Sequence, residues 1–304
     1  MYSGKGHLVS IDQLSRESVL SFFSQIEKNK SKRLEYAQPV LQNETVVLLF
    51  MEPSTRTRIS FEIAAQKLGA QTIHVQKEGS SLQKGETILD TFETLHAMGC
   101  KNFVFRSPRS EIQEVAEHFG KKIILINAGD GINEHPTQAL IDGFTIWEKH
   151  RQLEKLKVAI IGDIDRSRVA HSNIRLLNLF GNKPHVSGPP ELMRNLDAKQ
   201  VHIAKNIDEA IADADVVMML RVQNERQDIA FSHDDKYLQT FGLTQNRLKH
   251  AGKKAMVMHP GPFNRGVEIE STVADGEQSV ILQQVNNGVW VRMALLEMLH
   301  KTAQ

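Results

Sequence analysis

Five consecutive residues, Ser54-Thr55-Arg56-Thr57-Arg58, set three hydroxyls beside two guanidinium groups, an inventory suited to a phosphate. They follow the apolar run Val46-Val47-Leu48-Leu49-Phe50 and open a segment whose Ile59, Ile63, Ala64 and Leu68 fall at helix-face spacing, closed by Gly69. A helix start offers backbone N–H groups outside the helical ladder and the positive end of the helix dipole. Ser54, Thr55 and Thr57 add hydroxyl donors, and the planar fork of Arg56 matches phosphate oxygens. Taken alone, the segment equally fits a serine N-cap followed by a solvated basic turn. Its place after a buried strand favours the phosphate, because ligands of open parallel sheets bind beyond the carboxyl ends of the strands.

Other segments reach the same kind of edge. Phe103-Val104-Phe105 runs directly into Arg106, and Ile123–Ile126 leads into the polar stretch that ends His135-Pro136-Thr137-Gln138. Donors fixed around a carbonyl stabilise the oxyanion of a tetrahedral intermediate, a role open to Thr57, Arg106 and His135, with Gln138 on the carbonyl substituent. The chemistry this layout fits is acyl-type transfer from an activated phosphate. Farther on, Ile160-Ile161-Gly162-Asp163 starts as a nucleotide-binding turn does, yet lacks the later glycines of a dinucleotide fingerprint. The chain continues there to Arg166 and Arg168, and the run Val216–Leu220 ends at Arg221-Val222-Gln223. Two strand-end arginines are what a dicarboxylate needs, one for each carboxylate, although surface ion pairing accounts for either arginine alone. The loop Glu78-Gly79-Ser80-Ser81-Leu82-Gln83-Lys84-Gly85-Glu86 is polar, bounded by glycines and, by itself, an ordinary mobile loop.

These segments need elements to position them. Short apolar runs alternate with amphipathic helices throughout: Thr72–Val75, a helix near Glu86–Met98, Phe103–Phe105, a helix near Glu111–Phe119, Ile123–Ile126 and a helix from Pro136 to His150. A second series follows, with Val158–Ile161, a helix from Val169 to Phe180, an undefined region around Gly188-Pro189-Pro190, a helix near Ile207–Ala212, Val216–Leu220, Ala255–Met258 and a last helix from Val289 to Lys301. That alternation predicts the α/β class, with parallel sheets covered on both faces. At 304 residues the chain is long for one core, and the charged stretch from Glu148 to Lys155 marks the change of domain. The expected domains are 1–148 and 149–287, with a C-terminal helix over about 288–304 packing back on the first.

Composition narrows the partners. Lys and Arg number 37 against 36 Asp and Glu, a net charge of +1, so no general excess exists to meet a nucleic-acid backbone or an anionic bilayer. No apolar run approaches the roughly 20 residues of a membrane span, and the N-terminus lacks the apolar core of a signal peptide. A cytoplasmic protein is expected. The single cysteine, Cys100, reads as a buried structural thiol, and the 13 scattered histidines show no metal-ligand spacing.

Ser54-Thr55-Arg56-Thr57-Arg58, Arg106, His135-Pro136-Thr137-Gln138 and His259-Pro260-Gly261-Pro262, in this order, resemble the aspartate/ornithine carbamoyltransferase family over essentially the whole chain. His259-Pro260-Gly261-Pro262 stands where ornithine-specific members typically carry His-Cys-Leu-Pro. With Arg168, Arg221-Val222-Gln223 and Asn264-Arg265-Gly266-Val267-Glu268-Ile269, this is similar to the aspartate branch. The resemblance implies two doubly wound parallel-sheet domains joined by interdomain helices, with an active site between the domains and at a subunit interface of a homotrimer. It implies a carbamoyl phosphate site of Ser54, Thr55, Arg56, Thr57, Arg106, His135 and Gln138. It implies aspartate binding by Lys84, Arg168, Arg221 and Gln223, a carbamoyl-contacting loop at Gly261 and Pro262, and a neighbouring-subunit loop carrying Ser80, Ser81 and Lys84. Catalytic roles would fall to Arg56, Thr57, Lys84, Arg106 and His135, with no cofactor and no metal. Gly261 stands where some relatives have leucine, and Gln83 where some have lysine. The resemblance leaves room for a regulatory or dihydroorotase partner, for an amine other than aspartate such as ornithine or an acylated ornithine, and for a non-catalytic binder of carbamoyl phosphate.

Overall fold

The computed structural model describes residues 6–31, 39–77, 85–221 and 234–303. The chain divides into two compact units: unit 1, residues 1–141 with 286–304, and unit 2, residues 142–285. Both boundaries fall inside helices, α5 (Pro136–His150) and α11 (Ile281–Ala303).

Unit 1 is built on five parallel strands in the order β1-β5-β4-β2-β3: β1 (His7–Leu8), β2 (Thr45–Phe50), β3 (Gln71–Gln76), β4 (Asn102–Ser107) and β5 (Ile124–Asp130). Central strands covered on both faces are apolar without alternation, and β5 is buried at every position. Edge strand β3 keeps four of its six residues exposed. Helix α1 (Arg16–Ser31) buries Val19, Phe22, Phe23 and Ile26, the stripe its sequence period dictates. Helices α3 (Ile88–Ala97) and α4 (Ile112–Phe119) enclose an aromatic core in which the Phe92 ring lies 4.7 Å from Phe103, 5.1 Å from Phe105 and 5.9 Å from Phe119. Cys100 is buried in the same cluster, where burial pushes its thiol up from the ordinary value.

Helix α2 (Thr55–Lys67) departs from the expected face. Ile59 and Ile63 are exposed at 40% and 36%, whereas Thr57, Ser60, Phe61, Ala64 and Ala65 are buried. The inward stripe still has helical period, but it is set by small residues that let the helix lie close to the sheet, with Phe61 as its bulk. Lys30 Nζ of α1 donates to Asn287 Oδ1 of α11 at 2.7 Å, and the guanidinium of Arg292 in α11 stacks 4.9 Å from the Phe61 ring centroid. This helix begins eight residues earlier than Val289, at Ile281. Gly288 conceals its continuity in the sequence; a Cβ there would meet Arg292 Nη1 at 2.9 Å and Ile141 Cδ1 at 3.4 Å, so the helix packs closely at this point.

Unit 2 repeats the plan with order β10-β9-β6-β7-β8: β6 (Val158–Ile161), β7 (His185–Ser187), β8 (His202–Ile203), β9 (Val216–Met219) and β10 (Met256–Met258), all parallel. Helices α6 (Arg168–Leu179), α7 (Ile207–Ile211), α8 (Asp234–Phe241), α9 (Gln245–Leu248) and α10 (Ser271–Ala274) complete it. Strands β7 and β8 flank the region around Gly188-Pro189-Pro190 that the sequence left undefined, where Pro190–Leu192 form a 3-10 turn. With three and two residues, they are too short to show a period. Among the described residues, no helix is long and apolar enough to cross a membrane.

Candidate active site

Each sheet reverses its direction of growth once. In unit 1 the chain passes from β2 outward to β3, then crosses to lay β4 on the other side of β2. Connections leaving β2 and β4 therefore diverge, opening a crevice at the carboxyl ends of these two strands. The connection after β2 carries Ser54, Thr55, Arg56 and Thr57, and β4 ends in Arg106 and Ser107.

Ser54 is the N-cap of α2, with extended backbone, but its hydroxyl makes no capping hydrogen bond. The first intrahelical bond runs from Arg58 N–H to Ser54 O at 3.3 Å, so the amides of Thr55, Arg56 and Thr57 stand outside the helical ladder. Thr57 is buried, while Ser60 Oγ donates to the carbonyls of Arg56 at 2.6 Å and Thr57 at 3.0 Å. Arg58 turns elsewhere: its Nη1 lies 3.3 Å from His74 Nδ1 and 3.9 Å from Glu62 Oε2.

Arg106 is oriented from two sides. Its Nε is 2.7 Å from Glu52 Oε1, an ion pair largely shielded from solvent, and its Nη1 donates to Ala128 O at 3.2 Å. Glu52 escaped the sequence reading, although it lies between the strand and the Ser54 motif and a search for an acid to orient Arg106 would reach it first. After β5, Gly129 N–H donates to Asn127 Oδ1 at 2.7 Å and Asp130 N–H to Glu134 O at 2.9 Å, shaping the approach to His135. The Glu134 carboxylate is itself tied to Ser10 Oγ at 2.6 Å and Ile11 N at 3.0 Å. His135 is buried, its Nδ1 3.3 Å from Thr137 Oγ1, and its carbonyl accepts the Gln138 and Ala139 amides that start α5. Pro136 at the first helical position loses no ladder bond by lacking an N–H.

In unit 2 the reversal lies between β6 and β9, and the arginines flank it. Ser167 caps α6 through Ala170 N–H at 3.1 Å, which makes Arg168 the first helical residue. Arg221 follows β9 by two residues. The turn after β6 is close-packed: Gly162, at φ +129°, would bring a Cβ to 3.1 Å from both Leu220 Cβ and Leu220 O. Beyond β10, the Gly261–Pro262 peptide is cis, and Gly261 N–H donates to His259 Nδ1 at 2.9 Å. Nearby, burial pushes the Tyr237 hydroxyl above its usual range, and the Glu268 and Asp163 carboxylates add to the effect. Ser80, Ser81, Lys84 and Gln223 lie outside the described residues. Thus Ser54, Thr55, Arg56, Thr57 and Arg106 share the crevice edge of unit 1, where His135 and Gln138 follow β5. Arg168 and Arg221 share the edge of unit 2.

Comparison with known proteins shows the family. Residues 6–148 match the model of the aspartate/ornithine carbamoyltransferase carbamoyl-P binding domain, and residues 154–299 match that family's Asp/Orn binding domain. The aspartate carbamoyltransferase catalytic subunit of Campylobacter fetus is 44% identical over 302 residues, covering 98% of this chain and 97% of the relative. That of Ruminiclostridium cellulolyticum is 49% identical over 261 residues, covering 85% and 83%. Trypanosoma cruzi aspartate transcarbamoylase in complex with N-(phosphonacetyl)-L-aspartic acid superposes with a TM-score of 0.84 at 30% identity, covering 98% of this chain and 97% of the other. On its sequence motifs, its two sheets and these full-length matches, the chain belongs to the aspartate/ornithine carbamoyltransferase family.

Proposed function

We propose that the chain transfers the carbamoyl group of carbamoyl phosphate to the amine of L-aspartate, giving N-carbamoyl-L-aspartate and phosphate. The observation that carries this reading is the pairing of two switch points. One holds an uncapped helix start with hydroxyls and arginines, suited to a phosphate, and the other holds Arg168 and Arg221, suited to two carboxylates. The T. cruzi relative is named in complex with carbamoyl phosphate and aspartate, the pair of ligands this arrangement would take.

In the proposed reaction Ser54, Thr55, Arg56 and Thr57 hold the phosphate, while Arg106, His135 and Gln138 hold the carbamoyl end. Arg168, Arg221, Gln223 and Lys84 receive aspartate, and Pro262 turns a backbone carbonyl to the carbamoyl group. The neutral amine attacks the carbonyl carbon, a C–N bond forms, and Thr57, Arg106 and His135 stabilise the oxyanion. The C–O bond to phosphate then breaks, with Arg56 and Lys84 taking up the charge. The departing phosphate accepts the amine proton, so the scheme calls on no separate protein base and no cofactor.

We further infer a cytoplasmic homotrimer acting early in de novo pyrimidine biosynthesis, with a neighbouring subunit lending Ser80, Ser81 and Lys84. Support for association comes from Ile59 and Ile63 on α2 and Ile73 on edge strand β3, exposed at 40%, 36% and 42%. A colorimetric assay for carbamoylated product tests the reaction: aspartate should be turned over and ornithine should not, and the reverse outcome sinks the reading. Mixing Lys84→Ala and Arg56→Ala chains should restore activity in mixed trimers; no recovery in verified mixtures excludes site sharing.

A further inference from the structure

Pro262 lies in a turn, Pro260-Gly261-Pro262, that has only one backbone N–H of its own with which to fix itself. Its position is therefore imposed by neighbours, from two directions. On one side His259 N–H donates to Gln284 Oε1 at 2.9 Å, and Gln284 Nε2 donates to Asp142 Oδ1 at 3.0 Å. Asp142 Oδ2 accepts from Asn173 Nδ2 at 2.9 Å. An ionised carboxylate only accepts, so Asp142 dictates which end of the Gln284 amide faces His259.

On the other side the His259 ring is the support. Its Nδ1 accepts the Gly261 N–H at 2.9 Å, so Nδ1 carries no proton and the ring N–H resides on Nε2. Nε2 faces Glu268 Oε1 at 3.4 Å, and both side chains are 0% exposed. Glu268 Oε1 also accepts Asn264 N–H at 2.6 Å. An acceptor at this place favours the tautomer that leaves Nδ1 open. The opposite tautomer would set an Nδ1–H against the Gly261 N–H and disrupt the turn.

We propose that Glu268 is a positioning residue for carbamoyl transfer: it keeps the His259 proton on Nε2, Nδ1 then fixes Gly261, and the Pro262 carbonyl is aimed. The inference rests on the reading that Pro262 contacts the carbamoyl group.

The test begins on the full-length wild-type protein with histidine-selective nitrogen labelling. His259 should show a neutral ring protonated at Nε2; a ring protonated at Nδ1, or at both nitrogens near neutral pH, overturns the proposal. Glu268→Met removes the acceptor at similar volume and should lower kcat about 10- to 100-fold, the scale on which a displacement of an ångström acts. The affinity for inorganic phosphate should stay at the wild-type value. Glu268→Gln retains an oxygen toward His259 and should restore kcat to within about threefold of wild type. An unchanged kcat in Glu268→Met, or equal losses in the Met and Gln variants, refutes the positioning role. Should Glu268→Met not fold, His259→Asn, which keeps an oxygen acceptor for Gly261, is set against His259→Leu, which does not. Equal kcat in that pair is then the overturning result. If wild type fails to carbamoylate aspartate, the proposed function falls by itself, while nitrogen spectra of Glu268→Met beside wild type still report whether Glu268 sets the tautomer.

Discussion

Gly162 offers a direct way to perturb the switch point of unit 2 without touching an arginine. Its φ of +129° disfavours any L side chain, and an added Cβ would lie 3.1 Å from Leu220 Cβ and Leu220 O, one residue before Arg221. Backbone strain of this kind costs about 1–3 kcal/mol, and overpacking of a close contact costs a similar amount. Gly162→Ala should therefore lose about 3 kcal/mol in total, divided between two readouts. Strain retained in the folded state lowers the urea midpoint, by about 1 M or more at the slopes usual for domains of this size. Strain relieved by moving Leu220 displaces Arg221 instead and raises the aspartate KM, about tenfold for each 1.4 kcal/mol. Gly181→Ala is the control. It is also at positive φ, +69°, but nothing lies within 4 Å of its Cβ, so only a backbone cost of about 1–2 kcal/mol is expected, with unaltered kinetics. Urea unfolding and initial-rate kinetics on the same preparations decide the matter. A Gly162→Ala protein with wild-type midpoint and KM, or with losses no larger than those of Gly181→Ala, refutes the argument that this contact sets the switch point.

Arg221→Ala should raise the aspartate KM about 10- to 100-fold with little change in kcat, as loss of one charge-assisted carboxylate contact would; initial rates at varied aspartate measure it. An unchanged KM removes Arg221 from the substrate site. Phe92→Ala, at the centre of the Phe103, Phe105 and Phe119 cluster, should cost about 3–5 kcal/mol in urea unfolding. His150 gives a pH signature, because burial holds its imidazole below the ordinary value, opposed by Asp215 and reinforced by Lys149. Both states are neutral at high pH; as pH falls through about 6.5 the unfolded chain protonates first, so stability declines until the depressed folded-state value is reached. His150→Gln should flatten that decline by up to one proton, read from urea midpoints across the interval, and an unaltered slope contradicts the assignment.

The strands that define both switch points were readable because central parallel strands are unbroken apolar runs: Val46–Phe50, Phe103–Phe105, Val158–Ile161 and Val216–Leu220 each stand out, and each leads to a residue of the candidate site. Helix α2 was placed correctly, but its face only in part. Of the expected face Ala64 and Leu68 are buried but Ile59 and Ile63 are not, because close approach to the sheet selects Ser60 and Ala65 beside Ala64, a preference that hydrophobicity alone does not express. Strands β7 and β8 carry too few residues for a period, and Gly288 interrupts α11 only on paper. Glu52, Glu134 and Glu268 were passed over because an isolated acid is usually a solvated one. Their meaning comes from partners far away in the chain or hidden behind a turn: Arg106 for Glu52, Ser10 and Ile11 for Glu134, His259 for Glu268.

Those three acids share a logic. The groups proposed to meet substrate are cationic, hydroxylic or backbone, and at three places, Arg106, the approach to His135 and the Gly261 turn, a carboxylate stands behind them. Glu52 turns the Arg106 fork, Glu134 pins the segment leading to His135, and Glu268 faces the ring that holds Gly261. A site for two anionic substrates gains from this placement. Carboxylates set back in this way hold their donors in place before a ligand arrives, so that reorganisation at the moment of reaction is small.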